Sequence, residues 1–196
     1  MDTYFVSFVI FLGLLALVCG WGIVVYNRLV RLRNRVDGTW ADVDVQLQRR
    51  HDLVPNLVAV VQGYAAHERG TLDEVIEARS AAVAAHGPHD QAQAENVLTS
   101  ALGRLFANAE AYPELKGDES FEELQERLET IESTLAFARQ AYNLSVQAYA
   151  NATQTIPTTY VAWFSNFEPR EFLAADSHDR EAPRVDLPGA PAPSGS

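Results

Sequence analysis

The chain has 196 residues, with 15 Lys and Arg against 26 Asp and Glu, and its formal net charge at pH 7 is −11. Such an acidic chain argues against nucleic acid as a partner, because phosphate binding requires a basic surface. The single cysteine, Cys19, leaves neither a disulfide within the chain nor a cluster of thiolate metal ligands.

The first element is a run of 23 residues without a charged side chain, from Tyr4 to Tyr26. A helix of this length spans about 35 Å, enough to cross a hydrocarbon core of about 30 Å. A cleaved signal peptide is the alternative, but it would have basic residues before a shorter apolar stretch, and residues 1–3 contain none. We therefore predict an uncleaved transmembrane helix over residues 4–26, preceded by a short extracytoplasmic N-terminus, residues 1–3.

Four membrane-flanking arginines follow this helix directly: Arg28, Arg31, Arg33 and Arg35. Short flanks rich in arginine stay in the cytoplasm, so the pattern predicts a single-pass protein of the cell membrane with its N-terminus outside and its bulk inside. The same arginines could also contact anionic lipid headgroups. Gly13, Ala16 and Gly20 share one helix face, which would let two such helices self-associate, although glycine is common in transmembrane helices.

Residues 27–174 are predicted to be all-α, because strand alternation is absent and helix-forming residues dominate. The first helix has an apolar seam of coiled-coil type at Val36, Trp40, Val43, Leu47, Val54, Leu57 and Val61. Arg50 interrupts this seam, and Pro55 is expected to kink the helix. The helix extends to about residue 85 or breaks near Gly70, where Thr71 and Glu74 have the spacing of a capping box.

Two further helices are predicted after a turn at residues 86–90. The second covers about residues 90–111, with Ala94, Leu98, Ala101, Leu105 and Ala109 on one face. The third begins at Ser120, with Glu123 completing a capping box, and ends before Pro157. Its stripe alternates steps of three and four over Phe121, Leu124, Leu128, Ile131, Leu135, Ala138, Tyr142, Ser145 and Tyr149. Together the helices predict an antiparallel up-and-down bundle.

The predicted helices differ in length, so part of the first helix either stands alone as a stalk or is covered by a later segment. Residues 157–174 are rich in aromatic side chains and could cover it by packing on the bundle, or they could rest on the membrane surface. Residues 175–196 are rich in acidic residues, proline, glycine and alanine, and are predicted to form a disordered tail.

No catalytic, cofactor-binding or metal-binding residues are predicted. The histidines do not have metalloprotease spacing, and His86 and His89 lie together in a turn without a third ligand nearby in sequence. Glycine-rich phosphate loops are absent. The acidic stretch at residues 110–132 is either a solvated face or a docking site for a basic partner, such as the membrane-flanking arginines.

The segment RRHDLVPNLV at residues 49–58 is different, because it combines adjacent charges, a proline and an amide in a few helical turns. Its candidate interaction residues are Arg49, Arg50, His51, Asp52, Pro55 and Asn56. A buried Arg50 would need Asp52 or a glutamate of the third helix as its partner. Pro55 frees the carbonyl of His51, which Asn56 or a water molecule could satisfy. The segment is either a structural kink or a recognition surface.

These segments resemble the LemA family of bacterial membrane proteins, over about residues 5–187. The resemblance rests on the segments YNRLV at 26–30, RNRV at 33–36, DVQL at 44–47, RRHDLVPNLV at 49–58, YPELK at 112–116 and AFARQ at 136–140. The chain departs from the family at Gly70 and in its proline-rich tail. The resemblance implies a single-pass anchor followed by an antiparallel helical bundle, and it carries over neither catalytic residues nor a reaction.

Three functions are consistent with these features. The first is a membrane-anchored scaffold or adaptor that binds other proteins. The second is an accessory subunit or enzyme with a site at Arg50, His51 and Asp52. The third is a lipid-interacting or stress-related envelope protein that uses the membrane-flanking arginines and the aromatic segment.

Overall fold

The computed structural model describes residues 2–65 and 68–173, and within these ranges every regular element is a helix. The helices are α1 (Asp2–Tyr64), α2 (Arg69–Ala84), α3 (Gly87–Ala109), α4 (Pro113–Lys116), α5 (Glu119–Gln154) and α6 (Thr158–Phe164). The predicted all-α class is therefore confirmed. The predicted tail at residues 175–196, together with His67 and His178, lies outside the described residues.

Helix α1 has 63 residues and combines the apolar run with the first helix of the bundle. The side chains from Tyr4 to Gly20 are exposed in the isolated chain. Among the described residues, this is the one helix that is long and apolar enough to cross a membrane. Its apolar surface requires a solvent other than water, which is consistent with a lipid bilayer.

The bundle is antiparallel, as predicted. Thr39 Oγ1 of α1 lies 2.8 Å from Ser145 Oγ of α5. Farther from the apolar run, Arg50 lies 3.4 Å from Glu132, so the residue numbers rise along α1 while they fall along α5. Helices α2 and α3 join mainly this far half, where Asn108 of α3 donates hydrogen bonds to Glu68 and Thr71. Four helices therefore pack in the half far from the apolar run, and α1 pairs with α5 in the near half.

Two apolar clusters form the core. The far cluster is built by all four long helices and includes Val54, Leu57, Val75, Leu98, Leu105 and Leu128. The near cluster lies mainly between α1 and α5 and includes Val36, Val43, Leu47, Leu135, Tyr142 and Tyr149. Every residue of the three predicted stripes is buried or half-buried. Local periodicity therefore identified the core faces correctly, because one buried stripe per helix is what packing requires.

The first helix breaks near Gly70, as one of the two predicted alternatives had it, but the predicted capping box does not form. Helix α1 ends at Tyr64, and α2 begins at Arg69 with Glu68 at its N-cap and without a side-chain cap. Thr71 does not cap the helix, because it lies within the first turn of α2, where its hydroxyl accepts a hydrogen bond from Asn108. Gly70 is instead an ordinary helical residue in the first turn of α2.

The other predicted boundaries shift by a few residues. Helix α3 begins at Gly87, so most of the predicted turn at residues 86–90 is helical, and it ends at Ala109. Asp118, and not Ser120, caps α5, since its carboxylate accepts a hydrogen bond from the backbone N–H of Phe121. Aspartate is as favourable as serine at an N-cap. Asp118 occupies that position here, and Ser120 lies within the first turn of the helix.

Residues 165–173, called the return strap below, run along the near half of the α1–α5 pair. The hydroxyls of Tyr149 and Tyr142 donate hydrogen bonds of 2.8 Å to the carbonyls of Glu168 and Glu171. Asn143 bonds both backbone groups of Leu173. The near half of α1 is therefore not a bare stalk, because α5 and the return strap cover it.

Candidate functional site

The structure divides the candidate interaction residues at 49–56 into two sets. Arg50 and His51 are 2% and 4% exposed and point into the bundle. Arg49, Asp52, Pro55 and Asn56 are exposed on the outer side of α1. The adjacent charges of this segment therefore belong to two different environments, one buried and one facing solvent.

The buried set surrounds Glu95 of α3, a residue with no solvent exposure. Arg50 Nη1 donates to Glu95 Oε2 at 2.8 Å, and His51 Nε2 lies 2.6 Å from Glu95 Oε1. Gln91 donates a third hydrogen bond to the same carboxylate, at 3.1 Å. Three hydrogen bonds compensate for much of the free energy that burial of a carboxylate costs.

The network extends from this carboxylate to all four long helices of the bundle. Arg50 Nη2 donates to the Thr99 hydroxyl at 2.8 Å and lies 3.4 Å from a carboxylate oxygen of Glu132 on α5. Gln91 also donates to the carbonyl of Ala82 on α2. We call the set Arg50, His51, Gln91, Glu95 and Glu132 the polar layer, because it separates the far apolar cluster from the near one.

The predicted partners of this segment are partly wrong. Arg50 does pair with a glutamate of the predicted third helix, Glu132, but its buried partner is Glu95, and Asp52 instead accepts a hydrogen bond from Gln48. The carbonyl of His51 accepts a hydrogen bond from Arg79 of α2, whose Nε lies 2.7 Å away, and Arg79 was not among the expected partners. Helix α1 continues through Pro55 to Tyr64.

The pKa of Glu95 reflects opposing effects. Burial raises the pKa, but the hydrogen bond from His51 and the charge of Arg50 lower it more strongly, so the net pKa lies below the ordinary value. The carboxylate is therefore ionised at neutral pH, and it attracts Arg50 across a contact that water does not screen.

Acidification is expected to destabilise the bundle through this residue. Because the pKa of Glu95 is lower in the folded chain than in the unfolded one, its ionised form stabilises the fold above the ordinary value of 4.5. That contribution is lost as the pH falls through the lowered pKa that Glu95 has in the folded chain. Thermal unfolding of the full chain in detergent, followed by circular dichroism from neutral to acid pH, measures the loss.

The matched control for this effect is Glu95→Gln, which keeps the shape of the side chain and removes the ionisable group. Its midpoint of unfolding should depend less steeply on pH than that of the wild-type chain over the acid range. Equal slopes in the two proteins would show that other carboxylates cause the acid sensitivity.

Two residues of the exposed set border an open groove of about 500 Å³ between α1 and α5. Arg49 and Asp52 form one bank, and Glu126 and Arg127 form the other. Leu53 and Ile131, both half-buried, contribute apolar surface between them. Pro55 and Asn56 lie on the same exposed side of α1, about one turn farther on. The groove thus offers charges of both signs around an apolar strip.

The membrane-flanking arginines and the acidic stretch at residues 110–132 lie at different ends of the bundle. Arg28, Arg31, Arg33 and Arg35 are all exposed, and Arg33 packs over the ring of Phe167, 5.4 Å from its centre. Glu132, the part of the acidic stretch nearest the apolar run, is level with Arg50. Docking of the two segments within one chain is therefore excluded by the antiparallel arrangement.

The described histidines other than His51 lie at the surface. His86 and His89 are both exposed, and His89 Nε2 lies 2.9 Å from Nε2 of Gln93. In the part of the chain that the structure describes, no group of three or more His, Cys, Asp or Glu residues is arranged to hold a metal ion.

Sequence reasoning missed Glu95, the centre of the polar layer. A signal was present, because Gln91, Glu95, Leu98, Leu102 and Leu105 follow the helical steps of four and three. A carboxylate in phase with a buried leucine stripe predicts a buried charge that needs a basic partner. Arg50, the charge that interrupts the seam of α1, was the complementary signal.

Comparison with known proteins provides independent information. The model of a family described as the LemA family matches residues 39–187. Two proteins of Paramagnetospirillum magneticum, Magnetosome protein MamQ 1 and Magnetosome protein MamQ 2, are each 24% identical over 189 residues. Magnetosome protein MamQ of Magnetospirillum gryphiswaldense is 25% identical over 189 residues. Each alignment covers 83% of this chain and 67% of the relative.

Proposed function

This chain belongs to the LemA family, whose model matches residues 39–187, and from that premise we propose that it is a membrane-anchored scaffold without catalytic activity, which binds another protein through the groove between α1 and α5. The names of its relatives refer to the magnetosome and to no reaction. The observation that supports the proposal most directly is the division of residues 49–56 into a buried structural set and an exposed set along an open groove.

The polar layer favours a structural role over a catalytic one. Arg50 and His51 are almost fully buried, and their side chains already bond Glu95. A substrate would have to displace these hydrogen bonds at a cost of several kcal/mol for an uncompensated buried charge. Asp52, the third residue of the alternative catalytic site, faces the outer side of α1. The three residues therefore do not converge on one accessible point.

The groove has the composition of a protein-binding surface. Leu53 and Ile131 supply the apolar contact, and Arg49, Asp52 and Glu126 surround it with charges of both signs. An amphipathic helix of a partner would place its apolar side on the strip and its own charges against the two banks, in the helix-in-groove mode. Charged banks of this kind provide specificity more than affinity.

We place this surface on the cytoplasmic side, with the N-terminus outside. The four exposed arginines at residues 28–35 support this orientation, because positive flanks are retained in the cytoplasm. The single-pass topology rests on the apolar run at residues 4–26, and the chain is associated with the membrane through it.

Crosslinking and co-purification from native membranes test the proposal. The full-length chain is compared with Arg49→Glu, which reverses one charge on the bank of the groove and leaves the polar layer intact. The partner is expected to be recovered at about one-tenth of the wild-type level or less, since reversed charges at an interface cost several kcal/mol. Arg69→Glu, an exposed charge at the start of α2 outside the groove, is the matched control and should recover the wild-type amount.

Two results would contradict the proposal. The first is equal recovery of the partner with Arg49→Glu and Arg69→Glu. The second is the absence of any protein enriched over an unrelated helical bundle on the same kind of anchor.

A further inference from the structure

Helix α6 packs against two elements, the end of the apolar run of α1 and the C-terminal end of α5. Ala162 is 4% exposed and packs with Val25 and Leu29 of α1. A shallow groove of about 530 Å³ separates the two helices, with Cys19 on the side of α1 and Phe164 on the side of α6. The short helix therefore extends along the end of the run that is predicted to cross the membrane.

The depth of this contact follows from helix geometry. Cys19 precedes Tyr26, the last residue of the apolar run, by seven residues, which is about 10 Å along a helix. Interfacial helices bury their apolar faces about 5–10 Å into the boundary between headgroups and acyl chains. Helix α6 thus lies at the level of that boundary whenever residues 4–26 cross the bilayer.

The surface of α6 that is not packed against the bundle is apolar and unusually exposed. Tyr160, Trp163 and Phe164 are 67%, 82% and 84% exposed, and Ile156 just before the helix is 71% exposed. Residues 156–167 contain no charged side chain. Aromatic side chains at this level are typical of the belt that lies at a membrane–water interface.

Polarity changes at the same level on both segments. On α1 the first charge after the apolar run is Arg28, and on the return strap the first charge after α6 is Glu168. Beyond this level the strap becomes polar and binds the bundle, since Arg170 pairs with Asp37 at 2.9 Å. Tyr26 and Phe167, with ring centres 5.7 Å apart, mark the boundary.

We propose that residues 156–167 form a second membrane contact, in which Trp163 and Phe164 insert among the lipids of the leaflet nearest the bundle, at the boundary between headgroups and acyl chains. The contact goes beyond the proposed scaffold role, because it requires no protein partner. It enlarges the footprint of the protein in one leaflet only. It also holds the bundle at a defined angle to the membrane, because the return strap connects α6 to α1 and α5 on the polar side.

Tryptophan depth measurements on the full-length chain test this contact. The chain contains Trp21, Trp40 and Trp163, so three variants that each retain one tryptophan, with phenylalanine at the other two positions, are reconstituted into phosphatidylcholine vesicles. Lipids brominated at a shallow or a deep position of the acyl chain quench nearby tryptophans. Because residues 156–167 are uncharged, replacing part of the phosphatidylcholine with phosphatidylglycerol should not change the result.

Quenching of Trp163 by the shallow bromine is expected to exceed that of Trp40 by at least about twofold, because interfacial residues lie within reach of the upper acyl chain. Trp21, at a similar level in the apolar run, is the positive control and should be quenched like Trp163. Trp40 is half-buried in the bundle against Tyr142 and is the negative control.

Three outcomes would overturn the inference. Quenching of Trp163 no stronger than that of Trp40, with free access to aqueous iodide, would place α6 in water. Protection of Trp163 from both bromine and iodide, lost when the protein is diluted in lipid, would place a second copy of the chain on α6. Failure of Trp21 to be quenched would show that the apolar run does not insert, and the inference would fall with it. The proposed groove between α1 and α5 depends on none of these results.

Discussion

Replacement of Arg50 by alanine is expected to lower the free energy of unfolding of the bundle by about 3–5 kcal/mol, because removing one partner of a buried ion pair leaves the other charge uncompensated. The charge left behind is Glu95, which has no contact with solvent. Chemical unfolding of the full-length chain in detergent, followed by circular dichroism, measures the loss.

The neighbouring residue provides a matched control for this substitution. Arg49→Ala removes the same side chain from an exposed position, and its effect should stay within about 0.5 kcal/mol. Equal losses for Arg49→Ala and Arg50→Ala would contradict the structural role of the polar layer. A double-mutant cycle with Glu95→Ala extends the test, because residues in one ion-pair network should show a coupling of about 0.5–3 kcal/mol.

Replacement of Leu135 by alanine is expected to lower the free energy of unfolding by about 2–5 kcal/mol, because it removes buried methyl groups and leaves a cavity in the near cluster. Leu135 has no solvent exposure and packs in the cluster that α1, α5 and the return strap enclose. The same unfolding measurement detects the effect. A loss of this size would show that the near half of the chain is a packed part of the bundle and not a loose stalk.

The control for Leu135 lies two residues away on the same helix. Phe137 is 73% exposed, so Phe137→Ala removes a larger side chain from the surface and should change the free energy of unfolding by less than about 0.5 kcal/mol. A loss at Phe137 as large as that at Leu135 would mean that this face of α5 is covered, for instance by another protein or a second copy of the chain.

The polar layer provides a physical basis for the register of the helices. Apolar stripes alone allow neighbouring helices to slide by one turn, because each turn presents similar side chains to its neighbour. A buried charge tolerates one register, the one in which its partner meets it. Arg50 and Glu95, placed between two apolar clusters, would therefore fix how α3 aligns with α1. Since Arg50 also pairs with Glu132 of α5, the same layer would fix the shape of the exposed groove between α1 and α5.

The division of residues 49–56 also clarifies which residues are available for a partner. Arg50 and His51 stabilise the bundle, so substitutions there would change binding indirectly through folding. Arg49 and Asp52, on the bank of the groove, can be changed without loss of the buried network. Experiments on function should therefore target the exposed pair and use the buried pair only as a measure of stability.

The sequence by itself determined the features that depend on local spacing. The apolar run of 23 residues, the helical class and the buried faces of α1, α3 and α5 follow from composition and from steps of three and four residues. These features are local because a helix presents the same residues to the core whatever lies opposite. The capping boxes at Thr71 and Ser120 were the local signals that failed, because tertiary hydrogen bonds or a stronger neighbouring cap replaced them.

Only the tertiary structure decided which charges are buried and what lies opposite them. Arg49 and Arg50 are neighbours of the same type, but they lie on different sides of α1. The orientation of α1 in the bundle exposes Arg49 to solvent and directs Arg50 to Glu95, 45 positions away in the chain. In the same way, the return of the chain along α5 brought α6 beside the apolar run. Such pairings depend on how whole helices pack against one another, and that information is distributed over distant residues and not contained in the spacing of any one segment.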